Sequence, residues 1–243
     1  MSRLILVRHG VTAWNQAGRY QGHTDVPLGE DGRIQALRVA ARLADEQIDL
    51  CLTSDLSRAR DTAAAITAGR GLSPHETPAL RELAFGRWEG IPTTDIAVQY
   101  PDDWRAWISD PVTARPPEGE TLQELLDRCV AALEAVIELP SRRNEPHDWF
   151  SYAAARGQSS GDAGRSVLLV SHGGPIRVLL AHLLGVPPRA YWQFAIRPAS
   201  VSVLDLYPEG AIAEVIGETT HLRDPAPTVV ASEMAPDPAA PAR

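Results

Sequence analysis

Three short apolar runs constrain this chain more than any other feature: Leu4–Val7, Leu50–Thr53 and Ser166–Val170. Each is continuous, too short for a buried helix and of the length of a strand covered on both faces. The segments between them carry helical spacing. Gly29–Glu46 places Ile34, Leu37, Ala41 and Ala44 on one face, the face expected to be buried, with Arg33, Arg38 and Arg42 elsewhere. Ser57–Ala68 is alanine-rich and stops at Gly69 and Gly71, and Pro175–Leu184 carries proline in its first turn. Strands alternating with helices predict an α/β fold with a mostly parallel sheet. Glu76–Pro78 reads as an edge strand, and Val201–Leu206 with Ala211–Ile216 as a terminal hairpin.

The organisation follows from the same pass. One domain is expected over residues 1–223, with an insertion over residues 93–165 forming a helical cap beside the site. Short helical pieces lie between Thr93 and Pro111. "TLQELLDRCVAALEAVIEL" is the longest helix, opened by a capping box of Thr121 and Glu124. Ser141–Arg165 is polar and predicts a mobile loop, and the Pro/Ala-rich tail from Asp224 to Arg243 predicts disorder. "GQSSG" at 157–161 matches G-x-S-x-G, but it precedes a strand where a nucleophile elbow must follow one.

Charge and composition remove several function classes. The net charge of −8 argues against nucleic acid or an anionic membrane as partner. All 23 lysine-plus-arginine residues are arginine, so a Walker A loop and a Schiff-base lysine are both excluded. Cys51 and Cys129 form no metal-ligand or redox spacing and read as small core residues, as in a reducing cytosol. With no signal-peptide pattern and no apolar run near 20 residues, a cytoplasmic location is expected.

Ligands of open α/β sheets bind beyond the carboxyl ends of the strands. Here one strand ends in Arg8-His9-Gly10 and another in Ser171-His172-Gly173-Gly174, while a third leads to Arg58 at the opening of a helix. A parallel sheet puts these on one edge, with Glu82 on a nearby loop. Arginine forks match phosphate oxygens, and a helix beginning at Gly173 favours an anion. Two histidines among arginines suit a nucleophilic imidazole better than a metal site, and Glu82 supplies a carboxyl group able to protonate a leaving oxygen.

"LVRHGVTAWN", "SDLSRARDTA", "LRELAFGRWEG" and "VSHGGPIR" resemble, in order and spacing, the motifs of the histidine phosphatase superfamily, also called the phosphoglycerate mutase-like family. "GHTDVPLGEDGRIQA" and "TTHL" are similar to that family too. The resemblance implies a three-layer α/β/α fold and a phosphomonoesterase of the histidine acid phosphatase type. It makes His9 the nucleophile of a phosphohistidine, and Arg8, Arg58 and His172 the cradle of the transferring phosphate. It makes Glu82 the proton donor and later the base. Asn15 and the Gly173 amide would lie near the phosphate, with Gln21 and Gly22 at the pocket rim. No metal and no cofactor are implied, the partner is a small phosphomonoester, and a homodimer stays open. His23 and His221 are candidate pocket neighbours; His75, His147 and His182 read as surface or helix-face residues.

Family mutases follow the acid/base glutamate with Arg-His-Tyr-Gly and later supply paired cations for a carboxylate. Here Glu82 is followed by Leu83-Ala84-Phe85-Gly86, and no arginine pair lies between Glu89 and Asp110. The expectation is therefore hydrolysis, similar to the α-ribazole and sugar-phosphate phosphatases. A mutase, or a non-catalytic phospho-ligand binder, is the alternative. Trp88, Trp104 and Trp107 either pack the cap on the core or wall the leaving-group pocket.

Overall fold

The computed structural model describes residues 1–140 and 164–223. The loop expected over 141–165 lies almost wholly outside the described residues, as do "GQSSG", His147 and the tail from Asp224.

The described strands are β1 (Ser2–Arg8), β2 (Leu50–Ser54), β3 (His75–Thr77), β4 (Ser166–Ser171), β5 (Val201–Tyr207) and β6 (Gly210–Glu218). They form one sheet in the order β3-β2-β4-β1-β5-β6. The first four in that order are parallel, and β5 and β6 add antiparallel at the far edge as a hairpin. The mostly parallel sheet, the edge strand near 76 and the hairpin are all as the sequence predicts.

The helices are α1 (Ala13–Gln16), α2 (Glu30–Arg42), α3 (Ser57–Thr67), α4 (Thr93–Gln99), α5 (Pro101–Ser109), α6 (Leu122–Glu134) and α7 (Gly173–Leu183). Side chains alternate across β1: Ile5 and Val7 join Val39, Leu43, Ala59, Ala63 and Ile66 of α2, its C-cap and α3. Leu4 and Leu6 join Leu122, Leu125 and Leu133 of α6 and Val178 and Leu179 of α7. A strand buried on both faces needs apolar residues of both parities, which is why these runs are continuous. The result is three layers.

Two expectations change. The helix expected over Gly29–Glu46 spans Glu30–Arg42, and its buried face is Gly32, Ala36 and Val39 rather than Ile34, Leu37, Ala41 and Ala44. Ile34 and Leu37 are exposed. The reason is steric: a Cβ on Gly32 would stand 2.2 Å from the Val11 carbonyl oxygen, and one on Gly10 2.3 Å from the Gly32 oxygen. Backbone-to-backbone approach selects the small-residue face over the more hydrophobic one. The stretch expected as a plain loop, Leu80–Ile91, contains a 3₁₀ turn at Gly86–Trp88 and follows another at Pro78–Leu80.

The capping box forms: the Thr121 hydroxyl accepts from the Glu124 amide at 3.2 Å, and the Glu124 carboxylate accepts from the Thr121 amide at 2.8 Å. Both cysteines are buried and unpaired, and burial pushes each thiol up to about 12.

Candidate active site

Register brings the reactive residues together. Arg8 pairs with Ser171 in the parallel β1–β4 ladder, and the His9 amide donates to the Ser171 carbonyl at 2.9 Å. His9 and His172 therefore leave adjacent strands at the same level, with ring centroids 5.0 Å apart. β2 ends on the other side of β4, where Ser54 meets His172.

Hydrogen-bond partners fix both imidazole tautomers. His9 Nδ1 lies 2.7 Å from the Gly10 carbonyl, which can only accept, so Nδ1 carries the proton and Nε2 the lone pair. Arg58 Nε donates to His172 Nδ1 at 3.2 Å, so the His172 proton sits on Nε2 and is directed to the Ser54 hydroxyl at 2.9 Å. Both rings are almost fully buried. Burial, then the charges of Arg58 and Arg8, hold His9 well below the ordinary 6.5; burial, then Arg58, His9 and Arg8, do the same to His172. His9 thus presents a neutral, buried Nε2.

Arg58 is fully buried on the first turn of α3. Its Nη1 donates to the Thr24 carbonyl at 2.9 Å and Nη2 to the Gly22 carbonyl at 2.8 Å. With Nε on His172, two of its five N–H groups remain for a ligand. Gly22 has φ +53°, and a Cβ there would stand 1.9 Å from Glu89 Oε1. Glu89 in turn accepts from the His23 and Thr24 amides at 3.0 and 2.9 Å, holding the segment whose carbonyls grip Arg58. Arg8 donates from Nη1 to the Ile196 carbonyl at 2.8 Å, while its buried Nε has no partner among the described residues. Burial, opposed by Glu82 and assisted by Arg177 and Arg58, pulls the Arg8 guanidinium down to about 10. A buried guanidinium with an N–H left over suits an anionic oxygen.

Glu82 reaches the same edge from its loop. Its Oε1 accepts from the Leu83 and Gly174 amides, both at 2.9 Å, leaving Oε2 as the oxygen available for proton transfer. Gly174 is the second residue of α7, and a Cβ there would meet Glu82 Oε1 at 2.2 Å. A Cβ on Gly173 would stand 2.8 Å from Arg177 Nη1 and 3.5 Å from the Arg8 guanidinium, so Gly173 leaves the helix N-terminus open between two cations.

The remaining expected residues are less central. Gln21 is buried and accepts from the Thr12 hydroxyl at 2.8 Å. Asn15 sits in α1, where its side-chain oxygen accepts from the Thr12 amide at 3.1 Å. His23 borders the site, with Nε2 3.0 Å from the Glu82 carbonyl. His221 instead bonds Glu218 and the Ala199 carbonyl. His75 is exposed, and His182 borders a separate groove of about 710 Å³ between α6 and α7 that holds none of the motif residues.

A cavity of about 240 Å³ adjoins Glu82 and Gly174, lined also by Tyr20, Phe85, Trp107, Arg177, Tyr191 and Trp192. Trp107 both packs the core, at 1% exposure and 6.1 Å from the Trp88 ring, and walls this cavity. Arg177 is the residue the motif reading missed: it lies four positions after Gly173, one helical turn on, and that spacing within "VSHGGPIR" was its only signal. Tyr191 and Trp192 carried none, since they come from a separate 3₁₀ segment. Among the described residues no three His, Cys, Asp or Glu side chains converge as a metal cage, and no helix is long and apolar enough to cross a membrane.

Comparison with known proteins gives the family and the fold. The model of the histidine phosphatase superfamily (branch 1) matches residues 4–145 and 148–219. A protein of Yersinia pestis named "Probable phosphoglycerate mutase GpmB" is 37% identical over 233 residues, covering 93% of this chain and 97% of its own. Among solved structures, the α-ribazole phosphatase of Shigella flexneri superposes with a TM-score of 0.72 at 30% identity, over 89% of this chain and 96% of that one. A mycobacterial glucosyl-3-phosphoglycerate phosphatase does so with a TM-score of 0.70 at 32% identity, over 89% and 99%.

Proposed function

The chain belongs to the histidine phosphatase superfamily, a family of phosphoryl-transfer enzymes, and from that premise we propose that it hydrolyses a small phosphomonoester through a phosphohistidine on His9. The observation that carries the reading is the Nδ1–Gly10 bond, which leaves His9 Nε2 neutral and unprotonated in a buried site where the charges of Arg58 and Arg8 act on the ring.

The steps follow from the donors present. His9 Nε2 attacks phosphorus as the ester P–O bond breaks, and the remaining N–H groups of Arg8 and Arg58 with the α7 N-terminus take up charge on the equatorial oxygens. The leaving oxygen takes a proton from Glu82 Oε2. Glu82, now a carboxylate, draws a proton from water as that water attacks the phosphohistidine; the N–P bond breaks, phosphate departs and the free imidazole returns. Positive charge from arginines opposes cation binding at the two histidines, which supports a mechanism without a metal.

Hydrolysis is favoured over mutase chemistry by the cavity beside Glu82. Among the described residues its wall is aromatic with a single arginine, Arg177, and without the paired cations that would clamp a glycerate carboxylate. The mutase reading keeps one support, the name of the Yersinia relative. One experiment decides: kcat/KM for a panel of α-ribazole phosphate, sugar phosphates, an aryl phosphate and 3-phosphoglycerate, with and without chelator. Phosphate release is expected on the esters, unaffected by chelation. His9→Ala is expected to lose the acid-labile phosphoenzyme and about 10³-fold or more in rate. Isomerisation of 3-phosphoglycerate without phosphate release would favour the mutase, and ordinary turnover by His9→Ala would remove the phosphohistidine.

A further inference from the structure

Glu82 stands on a segment that belongs to neither strand nor helix, between the 3₁₀ turns at 78–80 and 86–88. A general acid has to be held within a fraction of an ångström to be effective. On this segment the backbone ladder cannot do that, because there is none.

Arg128 of α6 does it instead. Its Nη1 donates to the carbonyls of Ala79 and Arg81, both at 2.8 Å. Its Nη2 donates to the Glu82 carbonyl at 2.8 Å and to Glu120 Oε1 at 2.5 Å, and Nε donates to Glu120 Oε2 at 3.2 Å. A guanidinium has five N–H groups, and here each has one acceptor. Glu120 continues the bracket downstream: Oε1 accepts from the Ala84 amide at 3.0 Å, and its own amide donates to the Ala84 carbonyl at 3.0 Å. The backbone is therefore gripped at 79, 81 and 82 by Arg128 and at 84 by Glu120. None of these bonds reaches the Glu82 carboxyl group.

Docking of the segment does not itself need the pair. Leu80 and Leu83 are almost fully buried and anchor its apolar side, and the Ser171 hydroxyl donates to the Leu80 carbonyl at 2.7 Å. What the pair adds is the orientation of the peptide units on either side of Glu82.

We propose that Arg128 and Glu120 form a positioning clamp that holds Glu82 in line with the leaving-group oxygen, so that proton donation, and not phosphate binding or nucleophilic attack, depends on them. The proposal rests on the acid role given to Glu82 above.

The test compares an alkyl phosphate, whose departure needs a proton, with p-nitrophenyl phosphate, whose departure does not. Arg128→Lys keeps the charge but cannot fill five acceptors. Glu120→Gln leaves the three carbonyl bonds of Arg128 intact but places an amide donor against one of its N–H groups, and it serves if the first variant fails to fold. Each is measured on the full chain where circular dichroism finds it folded. Loss of roughly 10- to 100-fold in kcat/KM on the alkyl ester, which reports phosphoryl transfer to His9 ahead of the hydrolysis common to both esters, with less than about threefold on the aryl ester, is expected. In a Glu82→Gln background either variant should add no further leaving-group effect, as residues acting through one group are not additive.

Equal losses on both esters, or full additivity with Glu82→Gln, would make the clamp merely structural and overturn the proposal. If Glu82→Gln alone leaves the leaving-group dependence unchanged, the acid role itself fails and the clamp falls with it. That result is told apart from failure of the clamp alone, in which Glu82→Gln steepens the dependence and the two clamp variants do not.

Discussion

At His9 a backbone carbonyl, not a side chain, fixes the tautomer and leaves Nε2, the nitrogen proposed to attack, unprotonated. Many nucleophilic histidines are oriented by a carboxylate that also raises their basicity; a carbonyl orients without adding charge. Burial and two arginines then keep the ring neutral. The same burial makes stability depend on pH. His9 and His172 bind protons less readily in the folded chain than unfolded, where the ordinary value is 6.5. Once the pH falls below that value the unfolded state holds more protons, so stability declines as the pH drops from there toward the depressed folded values. Thermal midpoints should fall between about pH 7 and pH 5, more steeply in wild type than in His9→Asn, which has lost one of the two groups. Equal slopes would mean that His9 titrates normally. In activity, the acid limb assigned to the nucleophile should lie below the range of an exposed imidazole.

At the scale of elements, α2 is the instructive case. Hydrophobicity placed Ile34 and Leu37 inward, but contact geometry placed Gly32 there, because the loop after β1 crosses the helix at backbone distance. Helical period was legible; which face is buried was not, since Gly and Ala score poorly as core residues and only the neighbour's shape rewards them. Gly32→Ala should cost about 1–3 kcal/mol, the usual range for overpacking against atoms that cannot retreat. It should also lower kcat/KM, since the displaced loop includes Gly10, whose carbonyl orients His9. Chemical denaturation and steady-state kinetics check this, and an unchanged denaturation midpoint would contradict the close approach. The two helix openings differ in the same way. Thr121 and Glu124 cap α6 locally and could be read in sequence, whereas α3 is capped from a distance. Asp25 accepts from the Ser57 amide at 2.9 Å and from its hydroxyl at 2.7 Å, thirty-two residues away in the chain. No local pattern announces that.

Across the whole molecule, the sheet separates two cores, and the site lies where the sheet's carboxyl edge meets the aromatic cluster of the α4–α5 region. Trp107 joins stability to function there. It is 1% exposed, its ring meets Phe85 and Trp88 edge-on at 6.4 and 6.1 Å, and it walls the cavity beside Glu82. The sequence allowed either packing or a pocket wall for the tryptophans; Trp107 does both, while Trp88 is core alone. Trp107→Ala should lower stability by about 3–5 kcal/mol, as for other buried aromatic truncations. In whatever fraction remains folded, KM should rise more than kcat falls, because on the proposed mechanism this cavity takes the leaving group and not the phosphorus. A fall in kcat at constant KM would place it with the chemistry instead.

The sequence alone determined the layers and the ends of the strands. Continuous apolar runs this short read as strands covered on both faces, and residues ending parallel strands share an edge. His9, Arg58 and His172 were legible for that reason, and Glu82 because its motif resembled a family's. The tertiary structure alone decided what holds those residues. The tautomers, the Glu89 tether, the Arg177 side of the cavity and the Arg128–Glu120 clamp join segments far apart in the chain. Such partners are chosen by where packed elements come to rest, and a carbonyl in need of a donor leaves no mark in the sequence.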